Sequence, residues 1–146
     1  MIPEVLPWKY HDTPGYEGYL RDDALTIAEM LKPAGYKTYM TGKWHLAFGG
    51  RETAALPHNR GFDKTFILDA TGGNNFNHHS YLPYYSESPW FKNGQEIELP
   101  KDFYSSEFFV DQMIEFIDED ITDQAPFFSY VSFQAQHIPL QAPQEF

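Results

Sequence analysis

Two aromatic-rich runs with the character of strands, each preceded by a helical repeat of apolar residues, constrain the fold of this chain most. Residues 36–41 alternate polar and apolar side chains. Residues 127–133 are apolar on both faces, which is typical of a central, parallel strand. A shorter strand is predicted over residues 65–68. The order helix, strand, strand, helix, strand predicts an α/β fold with a short, mostly parallel sheet and right-handed crossovers.

The two helices are predicted from the spacing of their apolar residues. Apolar residues at positions 24, 27, 28 and 31 lie on one helical face, and Asp22 or Asp23 is expected to be the N-cap. Ser105 or Ser106 is expected to be the N-cap of the second helix. Its buried stripe is predicted to consist of Phe109, Met113, Phe116 and Ile117.

The length of 146 residues is typical of one domain, and residues 1–146 are interpreted as a single domain. Residues 1–20 carry closely spaced prolines and glycines and are expected to form an extended lead-in. Residues 70–100 are predicted to be a long irregular loop. No apolar run approaches the roughly 18 residues of a membrane helix and no signal peptide is visible, so we expect a soluble protein of undetermined compartment.

The formal net charge of −11 argues against one class of partner. Beyond Tyr84, twelve acidic residues outnumber two basic ones, Lys92 and Lys101. Nucleic acid is not an expected partner, because phosphate binding needs clustered Lys and Arg side chains. The chain has no cysteine, which excludes disulfides, thiolate metal ligands and a cysteine nucleophile.

Polar side chains that could carry chemistry follow two of the predicted strands. Lys43 and His45 lie just beyond residues 36–41, and His137 lies just beyond residues 127–133. Open α/β sheets form their binding crevices at the carboxyl ends of the strands. One cation and two imidazoles that meet there could bind a tetrahedral oxyanion and move a proton to a leaving oxygen. The alternative is that each histidine is only hydrogen-bonded within its loop.

A separate hypothesis concerns His78 and His79, which lie in the predicted loop. A loop can turn both imidazoles toward one ion, and with Asn74, Asn75, His45 or His137 they could hold a divalent transition metal. Their spacing is not that of a metal motif, which favours a polar loop without a cofactor.

Four stretches, in the same order along the chain, resemble the sulfatase family. Residues 35–46 have the sequence GYKTYMTGKWHL, which is similar to the second signature of sulfatases. Residues 26–31, 59–63 and 126–143 also resemble that family. The chain is thus similar to an internal part of an arylsulfatase-like protein of the alkaline-phosphatase-like superfamily. The resemblance implies a truncated three-layer α/β sandwich.

The resemblance also implies roles for the residues at the strand ends. Lys43 would contact the sulfate group, His45 would orient the catalytic nucleophile, and His137 would touch the sulfate and the leaving-group oxygen. Sulfatases use a formylglycine formed in a Cys/Ser-x-Pro/Ala-x-Arg element, and a divalent cation held by acidic residues outside this region. Neither element is found in this sequence, so the resemblance implies that ordinary sulfatase turnover is lost.

These observations leave three hypotheses for function. The first is a weak, formylglycine-independent hydrolase of activated phosphate or sulfate esters, in which Lys43 binds the oxyanion and His45 and His137 act as nucleophile or acid–base pair. The second is a non-catalytic remnant that binds anions or another protein, and the third is one half of a split sulfatase. Because a truncated sheet exposes its edges, a homodimer or higher oligomer formed through a sheet edge or the aromatic surface is also expected.

Overall fold

The fold was analysed in a computed structural model, which describes residues 15–48, 50–70, 72–83 and 85–144. Most of the predicted lead-in, residues 1–14, lies outside the described residues. The main elements are α1 (Ile27–Leu31), β1 (Lys37–Lys43), β2 (Lys64–Leu68), β3 (Trp90–Lys92), β4 (Gln95–Glu96), α2 (Ser105–Asp120) and β5 (Phe127–Ser132). Short 3-10 helices occupy Lys32–Ala34, Thr53–Ala55, Pro57–Asn59 and Ile121–Asp123. None of the helices in the described part of the chain is long and apolar enough to cross a bilayer.

The five strands form one sheet in the order β4-β3-β2-β1-β5. β1 pairs in parallel with both β2 and β5, so that Thr41 lies opposite Phe66 on one side and Val131 on the other. β3 and β4 extend the sheet with antiparallel pairs. The predicted α/β class with a mostly parallel sheet is confirmed. β1, β2 and β5 all end on one side of the sheet, which we call the carboxyl edge.

Apolar side chains cover both faces of the sheet, which gives three layers. On one face, Tyr39 and Phe66 pack with Phe109 of α2. On the other face, Met40 and Ile67 pack with residues of α1 and of the loop after β1. Each fully buried large apolar side chain contributes about 1.5–3 kcal/mol to folding. The division of neighbouring β1 residues between two cores is the result expected for a strand that is covered on both faces.

The apolar stripe of α2 packs as its spacing predicts. Phe109, Met113 and Phe116 are buried, and Ile117 is partly buried against the same cluster. The helix begins at Ser105, and its N-cap is Tyr104, which makes no side-chain capping hydrogen bond. The prediction that Ser105 or Ser106 caps the helix is therefore wrong, and the Ser105 hydroxyl donates instead to Asn75 Oδ1.

The start of α1 differs from the prediction. Its N-cap is Thr26, whose hydroxyl accepts the N–H of Glu29 at 3.0 Å, while the Glu29 carboxylate accepts the N–H of Thr26 at 2.6 Å. This capping box satisfies two backbone donors at once and fixes the helix start there. The prediction that Asp22 or Asp23 caps the helix is therefore wrong.

The predicted central position of the last strand is also wrong. In the part of the chain that the structure describes, β5 lies at the edge of the sheet, beside β1 alone. Phe127 and Phe133 are each 50% exposed, and Tyr130 is 44% exposed. Apolar character on both faces predicted parallel pairing correctly, but it does not determine on how many sides a strand is paired.

The stretch predicted to be an irregular loop over residues 70–100 ends in a β-hairpin. β3 and β4 are joined by Asn93 and Gly94, which have φ angles of 50° and 80°. A two-residue turn with two positive φ angles matches the right-handed twist of its strands, and Asn-Gly is the pair that adopts it most readily. The ring of His58 packs so closely on Gly94 that a side chain there would collide with it.

Candidate functional site

The carboxyl edge carries the three residues predicted from the strand ends. Lys43 is the last residue of β1 and lies opposite Leu68 of β2. His45 follows two residues later, and His137 follows the end of β5. All three are half-buried. They therefore lie on the side of the sheet where α/β proteins form their crevices.

The segment after β5 contacts the segment after β2. A Cβ atom built on Gly72 would lie 3.0 Å from Nδ1 of His137, and the His137 ring meets the Tyr81 ring edge-on with centroids 5.3 Å apart. Gly72 follows β2, which lies on the opposite side of β1 from β5. The segments that follow β2 and β5 therefore meet at the carboxyl edge, the edge at which β1 ends in Lys43.

A buried polar network centred on Asn75 holds the segment after β5. Asn75 is 2% exposed. Its side-chain Oδ1 accepts hydrogen bonds from Ser105 Oγ at 2.6 Å and from Gln134 Nε2 at 2.8 Å. The Asn75 N–H donates to Gln141 Oε1 at 2.8 Å. The backbone N–H of His137 in turn donates to Gln134 O at 3.0 Å. Asn75 thus ties the chain on both sides of His137 to the start of α2.

The hydrogen bond of the His137 ring indicates its tautomer. Nδ1 lies 2.7 Å from the carbonyl oxygen of Ile138. A carbonyl oxygen can only accept, so the proton of the neutral ring is on Nδ1 and the lone pair is on Nε2. Nε2 of His137 is then the atom that can take up a proton, or donate one once the ring is charged.

Asp69, which directly follows β2, holds the loop that carries His45. It is fully buried and accepts the backbone N–H groups of Leu46 at 3.0 Å, Ala47 at 3.2 Å and Gly50 at 2.7 Å. Burial raises the pKa of the Asp69 carboxyl, although these three hydrogen bonds and the charge of His45 act in the opposite direction. The sequence analysis missed Asp69. The rule that located Lys43 would have found it, since both lie at the end of a strand.

Unusual backbone conformations are concentrated at the same edge. His45, Phe48 and Gln136 have φ angles of 58°, 52° and 82°. Such conformations cost about 1–3 kcal/mol in residues other than glycine and cluster at functional sites. Two of these residues belong to the segments predicted from sequence, namely His45 itself and Gln136, the neighbour of His137.

The metal hypothesis for His78 and His79 finds no ligand set in the structure. Nε2 of His78 accepts the N–H of Leu99 at 2.9 Å, so this nitrogen is already bonded. Glu98 lies 3.3 Å from the same nitrogen, but the two form an ion pair only if the ring is protonated. Among the described residues, no group of three or more His, Asp or Glu side chains is placed to hold a metal ion. The described residues therefore do not offer a fit for the divalent cation that the sulfatase resemblance implies.

Comparison with known proteins identifies the class of this chain. The sulfatase family matches residues 6–146. The arylsulfatase of Klebsiella aerogenes is 40% identical over 148 residues, which cover 94% of this chain and 30% of that protein. An uncharacterized sulfatase of Schizosaccharomyces pombe is 38% identical over 143 residues, which cover 91% of this chain and 24% of that protein.

A solved structure agrees with these relatives. The crystal structure of Ps i-CgsB superposes with a TM-score of 0.69 at 29% sequence identity, covering 84% of this chain and 29% of that chain. The chain belongs to the sulfatase family, a family of sulfate ester hydrolases. This membership explains why residues 35–46 resemble the second signature of sulfatases. The chain spans less than a third of the length of these relatives.

Proposed function

We propose that this chain binds activated sulfate or phosphate esters at the carboxyl edge and hydrolyses them weakly, without a formylglycine. The observation that supports the proposal is the contact between His137, in the segment after β5, and Gly72, in the segment after β2, at the edge where β1 ends in Lys43. Sulfate and phosphate esters share tetrahedral oxygens and dispersed negative charge, so the same donors can serve both.

Each of the three residues has a proposed role. The Lys43 ammonium binds the oxygens of the sulfuryl or phosphoryl group. His45 takes a proton from the attacking water, whose oxygen forms the new bond to sulfur or phosphorus. His137 donates a proton from Nε2 to the leaving oxygen as the bond between that oxygen and sulfur or phosphorus breaks, and the two imidazoles then exchange their proton with solvent.

The magnitude of each contribution explains why the activity should be weak. A positioned acid or base contributes roughly 10²- to 10⁴-fold, whereas metal ions and preorganised charges stabilise transition states by several kcal/mol more. The described residues supply the first kind of catalysis and do not form a metal ligand set.

The direct test is a screen of aryl sulfate and aryl phosphate esters on the purified protein, with and without a chelator. Lys43→Ala, His45→Ala and His137→Ala should each reduce hydrolysis by roughly tenfold or more. The matched controls are His79→Ala and Lys101→Ala, which remove exposed side chains of the same types. Activity that is unchanged in the first three variants, or absent on every ester, would refute the proposal. Loss of activity with the chelator would instead favour the histidine–metal hypothesis.

We also propose that the outer edge of β5 pairs with another chain, in the simplest case a second copy. Unpaired edge strands offer a row of backbone donors and acceptors, and Phe127 and Tyr130 expose apolar surface there. Light scattering should detect a dimer that Tyr130→Lys weakens. A clean monomer at working concentration would contradict this proposal. The short coverage of the relatives favours the alternative that further sulfatase segments pair with the same edge.

A further inference from the structure

A cavity of about 520 Å³ opens beside the carboxyl end of β2. This volume falls within the range of small-molecule sites, roughly 300–1,000 Å³. Its walls come from the loop after β1, the segment after β2 and the chain on both sides of the β3–β4 hairpin. They include Phe48, Arg51, Gly72, Leu82, Tyr85 and Ile97. We call this the side cavity.

Hydrogen bonds between its walls give the side cavity a defined shape. Ser88, which is 1% exposed, donates from its hydroxyl to Gly72 O at 3.2 Å and from its N–H to His78 O at 2.7 Å. The ring of His78 accepts the N–H of Leu99, which follows the hairpin. Three separate stretches of chain are thus joined around the opening, so a ligand would enter a largely preformed site.

The charged groups of the side cavity favour a cation. Glu87, Glu96 and Glu98 contribute three carboxylates, and Arg51 contributes one guanidinium. The carboxylates lie at the exposed rim, so solvent screens them and their combined effect on affinity amounts to a several-fold preference.

The remaining lining favours a flat apolar group. Phe48, Leu82, Tyr85 and Ile97 provide aromatic and aliphatic surface. The Arg51 guanidinium lies 5.4 Å from the centroid of the Phe48 ring and 6.0 Å from that of Tyr85. Arg51 keeps its charge in these contacts, and the three carboxylates outnumber this one cation, so the lining as a whole favours a positively charged ligand.

We propose that the side cavity binds an aromatic ring that carries an ammonium group. It would hold the alcohol part of the ester, and this link to the reaction rests on the proposed function. Gly72 forms part of the cavity wall and also packs on His137, the residue proposed to protonate the leaving oxygen. An aromatic ester whose acid part lies at the carboxyl edge would therefore have its ring next to this cavity.

Three probes with one ring and different charges test the proposal: benzylamine, benzyl alcohol and benzoate. Each is titrated into the ¹⁵N-labelled protein, and amide shifts are followed at Gly72, Ser88 and Ile97. Benzylamine should bind roughly three- to tenfold more tightly than benzyl alcohol, and benzoate should bind most weakly. Raising the salt concentration should reduce the difference between the three.

Two pairs of substitutions separate the cavity from the overall negative field. Glu87→Gln/Glu96→Gln should abolish the preference for benzylamine, whereas Glu107→Gln/Asp111→Asn, which removes the same charge from α2, should leave it intact. Leu82→Trp should fill the cavity and weaken all three probes, and the amide spectrum verifies that each variant is folded.

Three results would overturn the proposal. They are equal affinity for the three probes, loss of the preference in the α2 variant, and no binding at millimolar concentration. A parallel titration with inorganic sulfate, followed at Lys43 and His137, tests the oxyanion site. Failure of that site is thereby distinguished from failure of the side cavity.

Discussion

Substitution of Asn75 by alanine tests whether the polar network positions His137. The change removes the acceptor of the Ser105 hydroxyl and of the Gln134 amide, both of which are buried. Each buried donor left without a partner costs about 1–3 kcal/mol, so Asn75→Ala should reduce the free energy of unfolding by roughly 2–6 kcal/mol. Domains are typically stable by about 5–15 kcal/mol, so most of the protein should remain folded.

The assay combines urea unfolding with NMR of the His137 ring in the absence of any ester. The matched control is Gln112→Ala, which removes another buried amide, one that donates to Glu115 at 2.6 Å within α2. Both variants should lose stability, but only Asn75→Ala should shift the ring signals of His137 and weaken its contact with Tyr81. Unchanged His137 signals in Asn75→Ala, or equal changes in both variants, would refute the positioning role.

Two further predictions concern the fold that supports the site. A side chain at Gly42 (φ 113°) would collide with the backbone of Ser132, so Gly42→Ala should lower the stability by about 2 kcal/mol or more. The control Gly35→Ala, at φ 84° with open space around it, should lower the stability by about 1 kcal/mol. Equal losses of stability in thermal unfolding would contradict the close approach of β1 and β5. The hydrogen bond from Arg60 holds the pKa of Glu29 below its ordinary value in the folded protein. Ionised Glu29 therefore stabilises the fold at pH values above its unfolded pKa of about 4.3, and this contribution is lost as the pH falls through the folded pKa. Glu29→Gln, which retains the capping group, should therefore lose less stability on acidification than the unsubstituted protein, as measured by urea midpoints at neutral and acidic pH.

Local patterns predicted some elements well and missed others whose signals were present. The stripe containing Phe109 and Phe116 was sufficient for α2, because a helical face that packs on a sheet must repeat every three to four residues. The capping box of Thr26 and Glu29 follows the Ser/Thr-x-x-Glu pattern, and it locates the start of α1 better than the aspartates before it. The Asn-Gly pair likewise marks the β3–β4 hairpin.

The position of β5 could not be predicted from its own residues. Phe127 and Tyr130 have the composition of a strand with neighbours on both sides, but which strands lie beside them depends on the rest of the sheet. The relatives are more than three times as long as this chain, so a strand that is central in a wider sheet can be an edge in this part of it.

The strand-end rule identified the right edge of the sheet but not the groups that support it. Lys43, His45 and His137 lie at the carboxyl edge, and their roles in binding and catalysis remain predictions. Asn75 and Gln134 meet through a side-chain hydrogen bond between distant segments. No local pattern contains such a contact, because it depends on how the loop after β2 and the segment after β5 pack together.

The place of β1 between β2 and β5 has a consequence for biosynthesis. Lys37 at the start of β1 pairs with Phe127 at the start of β5. More than half of the chain therefore lies between these two paired strands. Pairings between residues so distant in sequence form slowly, because the entropy cost of closing a long loop comes before any stabilising contact is made. On the ribosome, one side of β1 therefore stays exposed until β5 has emerged, and a nascent chain that stalls before that point presents an aggregation-prone strand to chaperones and proteases.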